Sequence, residues 1–532
     1  MLFAASSCDK FLEEKPHDSL PADDVYKSSS QIYLNCVASL YAAVGGNKDS
    51  YGLQGTRRGI YDLNTFTTDE AMIPTRGTDW YDGGLWQGLY LHTWGTENSA
   101  IEDTWTYLYQ TILHCNNSLE RITDYAEETE TNMIDYQAEV CTLRAIFFFY
   151  AMDLYGRLPV FTTSDPDFED LQLKSRSEVF NFIRHELQRY APLLSTAHSN
   201  RPGDHYSRVT QGVAYFVLAK LALNAEVYTW DNWTTDPRPD GKNILWTVDG
   251  KTMNTWEAAV AYCDKIEALG YSLEPNFQTN FQVENEQSNE NIFTIPMDKY
   301  LYTNQFTNLF RSRHYNHASA LGLNGENGSC ATLEALDAFG YNTAEQDPRF
   351  DISYYAGEVY DYDGEPVLLD DGTPLIYEPL EIGLDISGSP YEKTAGARMR
   401  KYDVDRTATK DGNQSNNDIV LFRYADVMLM KAEALVRDKG VNATATALVN
   451  SVRDRVDAKP LAQATLPLIL RERLLEFAWE GWRRNDMIRF DTFTAQRSFC
   501  PVPAFESDHH TIVFPIPKDF LSLMRETQNK GY

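Results

Sequence analysis

The stretch Val140-Cys-Thr-Leu-Arg-Ala-Ile-Phe-Phe-Phe-Tyr-Ala-Met-Asp-Leu-Tyr155 is apolar nearly all round at helical spacing. A surface helix keeps a polar face, so a helix without one belongs in the middle of a bundle, covered on every side. Gly156 and Pro159 end it, the first by its poor helix preference and the second by lacking an N–H donor. A chain with such a segment must surround it with other helices, and further 3.6-residue periodicities supply them. Trp105, Leu108, Tyr109, Ile112, Asn116 and Leu119 share one face, as do Val179, Ile183, Leu187, Tyr190 and Leu194. Ala214, Val217, Leu218, Leu221, Ala225 and Tyr228 form a third stripe over 210–228, and Trp256, Ala259, Val260 and Cys263 a fourth, closed by Gly270. Two more helical runs are read at 421–437 and 468–490. Ala214, Ala225, Ala432 and Ala434 stand where one helix can approach another closely. Paired helices with small residues at their contacts predict a mostly α, tetratricopeptide-like scaffold, degenerate because the runs do not repeat at a strict interval.

Residues 271–420 break this pattern. They are rich in Gly, Asn, Asp, Tyr and Pro, and 359–377 alternates around Asp363-Gly364 and Asp371-Gly372. That reads as short strands joined by tight hairpins. The expected organisation is a helical region over 9–270 and a second region over 271–532. The second holds the irregular insert (271–420), helices (421–490) and a tail, and the two regions form one composite body. Loops carried on a rigid scaffold are where binding residues collect.

The chain carries 47 basic and 77 acidic side chains, a formal net charge of −30. A field of that sign repels nucleic-acid backbones and anionic lipid surfaces. No CxxC pair occurs among the seven cysteines, which argues against structural zinc. Cys36, Cys115, Cys141 and Cys263 lie in apolar helical patterns and read as small core residues. Cys8 follows Met1-Leu2-Phe3-Ala4-Ala5-Ser6-Ser7, the tail of a secretory signal. This small-small-Cys ending reads as a bacterial lipoprotein acylated at Cys8, with 1–8 as residual signal and Pro16 and Pro21 in an extended tether. No apolar run is long enough to span a bilayer, so the lipid alone would hold the body to a membrane.

A search for chemistry finds no G-x-S-x-G and no H-E-x-x-H. Asp249-Gly250-Lys251-Thr252 contains GKT, but Leu245 stands where a phosphate loop needs its first glycine, so a turn is expected. His509-His510 reads as a solvated tail, and Asp361-Tyr-Asp-Gly-Glu365 as a hairpin turn rather than a calcium loop. No metal and no cofactor is expected.

The aromatic clusters are more informative. Arg76, Asp79, Trp80, Tyr81, Asp82 and Trp86 crowd around Gly77, Gly83 and Gly84. Three large rings in a glycine-rich loop are hard to bury together. Sugars suit such a loop: a pyranose packs its C–H face on a ring while Asp and Arg take its hydroxyls. A second cluster runs Tyr300, Tyr302, Phe306, Phe310, Arg313, His314, Tyr315, and a third pairs Trp230 with Trp233.

Several segments, in order, resemble the SusD/RagB family of surface glycan-binding lipoproteins. They are Ser7-Cys8-Asp9-Lys10-Phe11-Leu12 with Pro16 and Leu20, then Glu139 to Pro159, then Phe422-Arg-Tyr-Ala-Asp-Val-Met-Leu-Met-Lys-Ala-Glu-Ala434. Arg471-Glu-Arg-Leu-Leu-Glu-Phe-Ala-Trp-Glu-Gly-Trp-Arg483 follows, with Asp486 and Arg489, and the chain closes on Phe514-Pro-Ile-Pro517 and Gln528-Asn-Lys-Gly-Tyr532. The resemblance implies tetratricopeptide-like helix pairs supporting an irregular ligand-binding half. It also implies a place on the outer face of the outer membrane, capping a TonB-dependent (SusC-like) barrel and passing oligosaccharides to it without catalysis. It makes Arg144, Glu433, Glu472, Glu476, Glu480, Arg483 and Arg489 structural ion-pair residues. Asn485 departs from the aromatic more usual there.

The resemblance sets the loop after the first helices against the insert. Trp80, Tyr81 and Trp86 are then the expected stacking platforms, Asp69, Arg76 and Asp79 the hydroxyl partners, and Tyr302 and Tyr315 the facing wall. Two alternatives stay open: a repeat scaffold that binds only protein, and a glycoside hydrolase, for which no carboxylate pair stands out.

Overall fold

The computed structural model describes residues 26–46, 52–54, 58–301, 304–305, 307–410, 412–500 and 504–532. Cys8 and the residues before it, most of the tether, Tyr302 and Phe306 lie outside the described residues. After a helical run over residues 29–45, two short helices, α1 (Ile60–Thr65) and α2 (Leu85–Tyr90), lead to the long α3 (Ser99–Thr129). α4 (Ile134–Tyr155), α5 (Arg176–Tyr190), α6 (Gln211–Leu223) and α7 (Thr255–Ala268) complete the first half. After the insert come α8 (Tyr424–Lys439), α9 (Ala443–Asp454), α10 (Leu466–Phe477) and α11 (Arg483–Arg489).

These helices pack as a relay of neighbours: α3 on α4, α4 on α5, α5 on α6, α6 on α7, α7 on α8, and α8 on α9 and α10. The protein is mostly helical, and among the described residues its sheets are small and two-stranded. Every residue of α4 from Ala138 to Tyr155 is buried, as an all-round apolar helix requires. Side chains cap α3, α5 and α7: Asn98 accepts the N–H groups of Ala100 and Ile101, and Ser175 and Asn254 each close a capping box with Glu178 and Glu257. Gly156 ends α4 at φ +74°, conformational space that favours glycine.

Three helical readings need correction. The run at 210–228 breaks at Asn224, between α6 and the turn Ala225–Tyr228. Residues 421–423 belong to the strand Ile419–Arg423, which pairs antiparallel with Asn291–Ile295 and so closes the insert on itself. The run at 468–490 is two helices, because the chain reverses between α10 and α11 with Trp479 at φ +68° and Gly481 at φ +71°. The expected hairpins at 359–377 are present but very short. Gly357–Glu358 pairs with Ile376–Tyr377, with single bridges Tyr360–Pro366 and Leu368–Pro374 beyond it. Asp361 accepts the N–H groups of Asp363 and Glu365, so its carboxylate builds the turn. Asp249-Gly250 is the turn of a hairpin, Leu245–Val248 with Lys251–Asn254.

One continuous apolar core runs from Ile32 to Leu521 and takes in Phe277, Phe281, Ile292 and Phe293 of the insert. The insert is also fixed by buried charge. Arg423 pairs with Glu290 (2.8 Å), Glu476 (2.6 Å) and Glu480 (2.7 Å). Arg349 reaches Asp347, Glu472 and Glu476, and Lys401 reaches Glu480. Arg489 joins Glu433 and Asp486, Arg144 joins Glu186, and Arg483 joins Asp69. Such pairs add modest net stability, but removing one partner leaves the other charge stranded. The signature residues are therefore structural. Asn485 donates to Asp153 (2.8 Å) and Tyr228 (3.0 Å), so a polar cluster fills that space.

Candidate functional site

The loop between α1 and α2 is anchored before it reaches the surface. Asp69 takes a two-pronged bond from Arg483 (2.6 and 2.7 Å). Glu70 is buried against the N–H of Trp479 (2.7 Å), and burial pushes its carboxyl up to about 8. Ala71–Met72 then pairs antiparallel with Cys330–Ala331, which fastens the loop to the insert. Arg76 turns inward: its guanidinium donates to the carbonyls of Gly328, Glu392 and Ala395. Thus one arginine ties the loop to two separate stretches of the insert. Residues 76–79 close a tight turn through reciprocal backbone bonds of 3.0 Å, with Gly77 at φ +66°.

That turn projects Asp79, Trp80 and Tyr81. Trp80 sits at φ +64°, half-buried, with its indole N–H donating to the Glu326 carbonyl (2.9 Å). A Cβ on Gly328 would lie 2.6 Å from the indole, so glycine is needed there for the ring to fit. Tyr81 is 60% exposed and its hydroxyl has no partner among the described residues. Across the rim, Tyr315 is 40% exposed and donates its hydroxyl to Asp79 (2.8 Å). Partial burial and that bond push the Tyr315 phenol up to about 12. The Lys393 ammonium stands 4.0 Å from the same carboxylate oxygen. The second oxygen of Asp79 has no hydrogen-bond partner among the described residues. An open ring face beside an acceptor and a cation can hold a polyhydroxylated ring.

The structure separates the expected site residues into two groups. Asp79, Trp80 and Tyr81 follow one another along the rim, and Tyr315 reaches across to Asp79. Asp69, Arg76 and Trp86 do not: each is engaged inside, so their expected ligand contacts are corrected to anchoring roles. Trp86 is 2% exposed, bonded to Asp82 (2.7 Å) and packed edge-on against Phe66. Tyr302 lies outside the described residues. Trp230 and Trp233 are core, and so are Phe310, Arg313 and His314. His510 is also buried, bonded to Asp508 (2.7 Å) and packed on Tyr532, so the reading of a solvated tail is corrected. Lys393 escaped the sequence reading, since nothing local marks a lysine that meets Asp79 only through the fold. Among the described residues no group of His, Cys, Asp and Glu is arranged to hold a metal ion.

Stacked helix pairs carrying a loop-built aromatic rim define a repeat-scaffold protein. The sequence matches the SusD family model over residues 289–532, and a model described as "Starch-binding associating with outer membrane" over 10–223. The chain belongs to the SusD/RagB family. It is 25% identical to a SusD-like protein of Formosa agariphila, the alignment covering 92% of this chain and 88% of that one. It is 23% identical to the starch-binding protein SusD of Bacteroides thetaiotaomicron, over 90% of this chain and 86% of that one. Among solved structures, a laminarin-binding SusD-like protein superposes with a TM-score of 0.68 at 20% identity, covering 95% of this chain and 100% of the other. Surface glycan-binding protein A of Bacteroides thetaiotaomicron, in complex with laminarihexaose, gives 0.69 at 16% identity, with coverage of 95% and 100%. At these identities the structural likeness speaks to the fold alone.

Proposed function

We propose that this chain is a cell-surface glycan-binding lipoprotein that captures oligosaccharides at the Trp80–Tyr81–Tyr315 rim and delivers them to a TonB-dependent outer-membrane barrel. The observation that carries the reading is the rim itself: two phenols and an indole left partly open to water beside Asp79. The rings take the non-polar face of a sugar, and Asp79 accepts its hydroxyls. Relatives named for starch and laminarin support the ligand class. Among the described residues no helix is long and apolar enough to cross a membrane, so the reading assigns attachment to a lipid on Cys8. The role is binding without turnover. Affinity is modest, about micromolar to millimolar, because hydroxyls give up water to bind.

The test is a glycan array with the purified protein, repeated with Tyr81→Ala. The reading expects binding to some neutral oligosaccharide that weakens at least tenfold in the variant while the melting temperature holds. An array with no bound glycan would overturn it. The cellular half is tested separately: Cys8→Ser should release the protein from the membrane fraction, and the wild type should co-purify with a large barrel.

A further inference from the structure

A second opening lies in the irregular half. It is a cleft of about 950 Å³ whose lining includes Tyr355, Tyr362, Arg400 and Arg406. Its rings are fixed. Tyr362 donates its hydroxyl to the Leu321 carbonyl (3.1 Å). The Arg406 guanidinium lies 3.9 Å from the centre of the Tyr362 ring, and that of Arg400 5.3 Å from the Tyr355 ring. Stacking uses the face of a guanidinium and leaves its N–H edge available in a fixed direction.

What sets these arginines apart is what they lack. Among the described residues neither has a hydrogen-bond acceptor or a carboxylate within ion-pair distance, although both are exposed. Arg313, wholly buried 5.7 Å from the same Tyr355 ring, has no acceptor for any of its three side-chain nitrogens. Acids outnumber bases 77 to 47 in this chain, so carboxylate partners are plentiful. Two arginines without an acceptor among the described residues, Arg400 and Arg406, thus line one cleft, and a third, Arg313, lies buried near its Tyr355 wall. The field there is felt nearby: burial together with Arg313, His314, Arg398 and Arg400 lowers the pKa of His317 to about 3.

Two carboxylates share the cleft. Asp403 is committed to the Gln278 amide (2.8 Å), and Asp351 lies on its edge beside Gln346 (3.4 Å). The lining thus holds two arginines and two aspartates, but each aspartate is bonded to a glutamine amide while neither arginine has a hydrogen-bond acceptor among the described residues. At physiological salt the Debye length is about 8 Å, so the distant acids are screened and the local charges decide.

We propose that this cleft binds the anionic groups of a glycan, a carboxylate or a sulfate ester, at a site separate from the Trp80 rim. The planar N–H edges of Arg400 and Arg406 grip the anion, matching its paired oxygens. Tyr355 supplies an apolar surface for the sugar ring, and Asp403 accepts a hydroxyl. The glycan class rests on the function proposed above, while the anion recognition rests on different residues.

The test is titration calorimetry of the full protein with three probes: a galacturonate hexasaccharide, a sulfated galactan hexasaccharide, and neutral laminarihexaose. Each is measured with wild type, Arg400→Gln, Arg406→Gln and Tyr81→Ala. The proposal expects at least one acidic probe to bind, with affinity falling as salt is raised. Either arginine variant should then bind it at least tenfold more weakly at an unchanged melting temperature, and the better acidic probe tells carboxylate from sulfate. Binding of neither acidic probe, or acidic binding untouched by both arginine variants, would overturn it. Loss of neutral binding in Tyr81→Ala bears only on the rim, so the two readings fail separately.

Discussion

The Arg423 network and the Asp79 rim are built from the same residue types and do opposite things. Around Arg423, the carboxylates of Glu290, Glu476 and Glu480 are buried and matched by Arg349, Arg455 and Lys401. At the rim, Asp79 meets one phenol and one distant ammonium and keeps an oxygen unpartnered. The first is closed off from water and paired among its own members, so it holds the insert to the scaffold. The second is satisfied incompletely and can complete itself with a ligand. The lesson is that burial, rather than residue type, separates the charges that maintain this fold from those that serve it.

Five perturbations probe that contrast. Arg423→Ala removes the one cation shared by three buried carboxylates and should cost about 3–5 kcal/mol, read by urea unfolding. Trp86→Ala empties a core position and should cost about 3–5 kcal/mol, even though Trp86 sits only five residues from the exposed Tyr81. If either variant melts like the wild type, the division between anchor and rim is wrong.

Acid should act on the network next. Burial alone would raise the Glu476 carboxyl, but Arg455, Arg423 and Arg349 overcome it and hold it below its ordinary 4.5. Asp486 is likewise held below 3.8 by Arg473, Arg489 and Lys220, against its burial. The unfolded chain therefore takes up protons that the folded chain refuses. This stability is fully present above about pH 4.5 and is lost as pH falls below it, which a series of melts at decreasing pH would record.

Glu70 has the opposite sign. Burial raises its carboxyl from 4.5 to about 8, so the folded chain holds a proton that the unfolded chain has already released. Its contribution is favourable below pH 4.5 and is withdrawn as pH rises toward 8. Glu70→Gln keeps the acceptor for the Trp479 N–H and should raise the melting temperature more at pH 8 than at pH 5. Tyr81→Ala comes last in stability, within about 0.5 kcal/mol, while removing most of the glycan binding. A large loss of stability in that variant would place Tyr81 with the anchors.

The central scaffold was legible because all-round apolarity admits one reading, and Val140–Tyr155 is buried along its length. The sequence is silent where the chain reverses. Leu474, Leu475, Phe477 and Trp482 continue a helical stripe past Phe477, yet Trp479 and Gly481 turn the backbone left-handed. Leu421–Arg423 continue the pattern of α8 backward but are claimed by a strand from the start of the insert. The rim was half legible for a related reason. A glycine-rich loop with several rings signals that some stay wet, but which ones depends on long-range contacts. Arg76 reads as a sugar donor from its neighbours in sequence, because nothing among them shows the three carbonyls that await it. Arg400 and Arg406 were not singled out at all, since their lack of partners exists only once the chain has folded.

The most direct test of the central claim is a crystal structure of the protein with a bound oligosaccharide drawn from the array. The account predicts a pyranose with its C–H face on Tyr81 or Trp80 and a hydroxyl within hydrogen-bond distance of Asp79. A well-ordered sugar seated elsewhere, with those rings left bare, would contradict it.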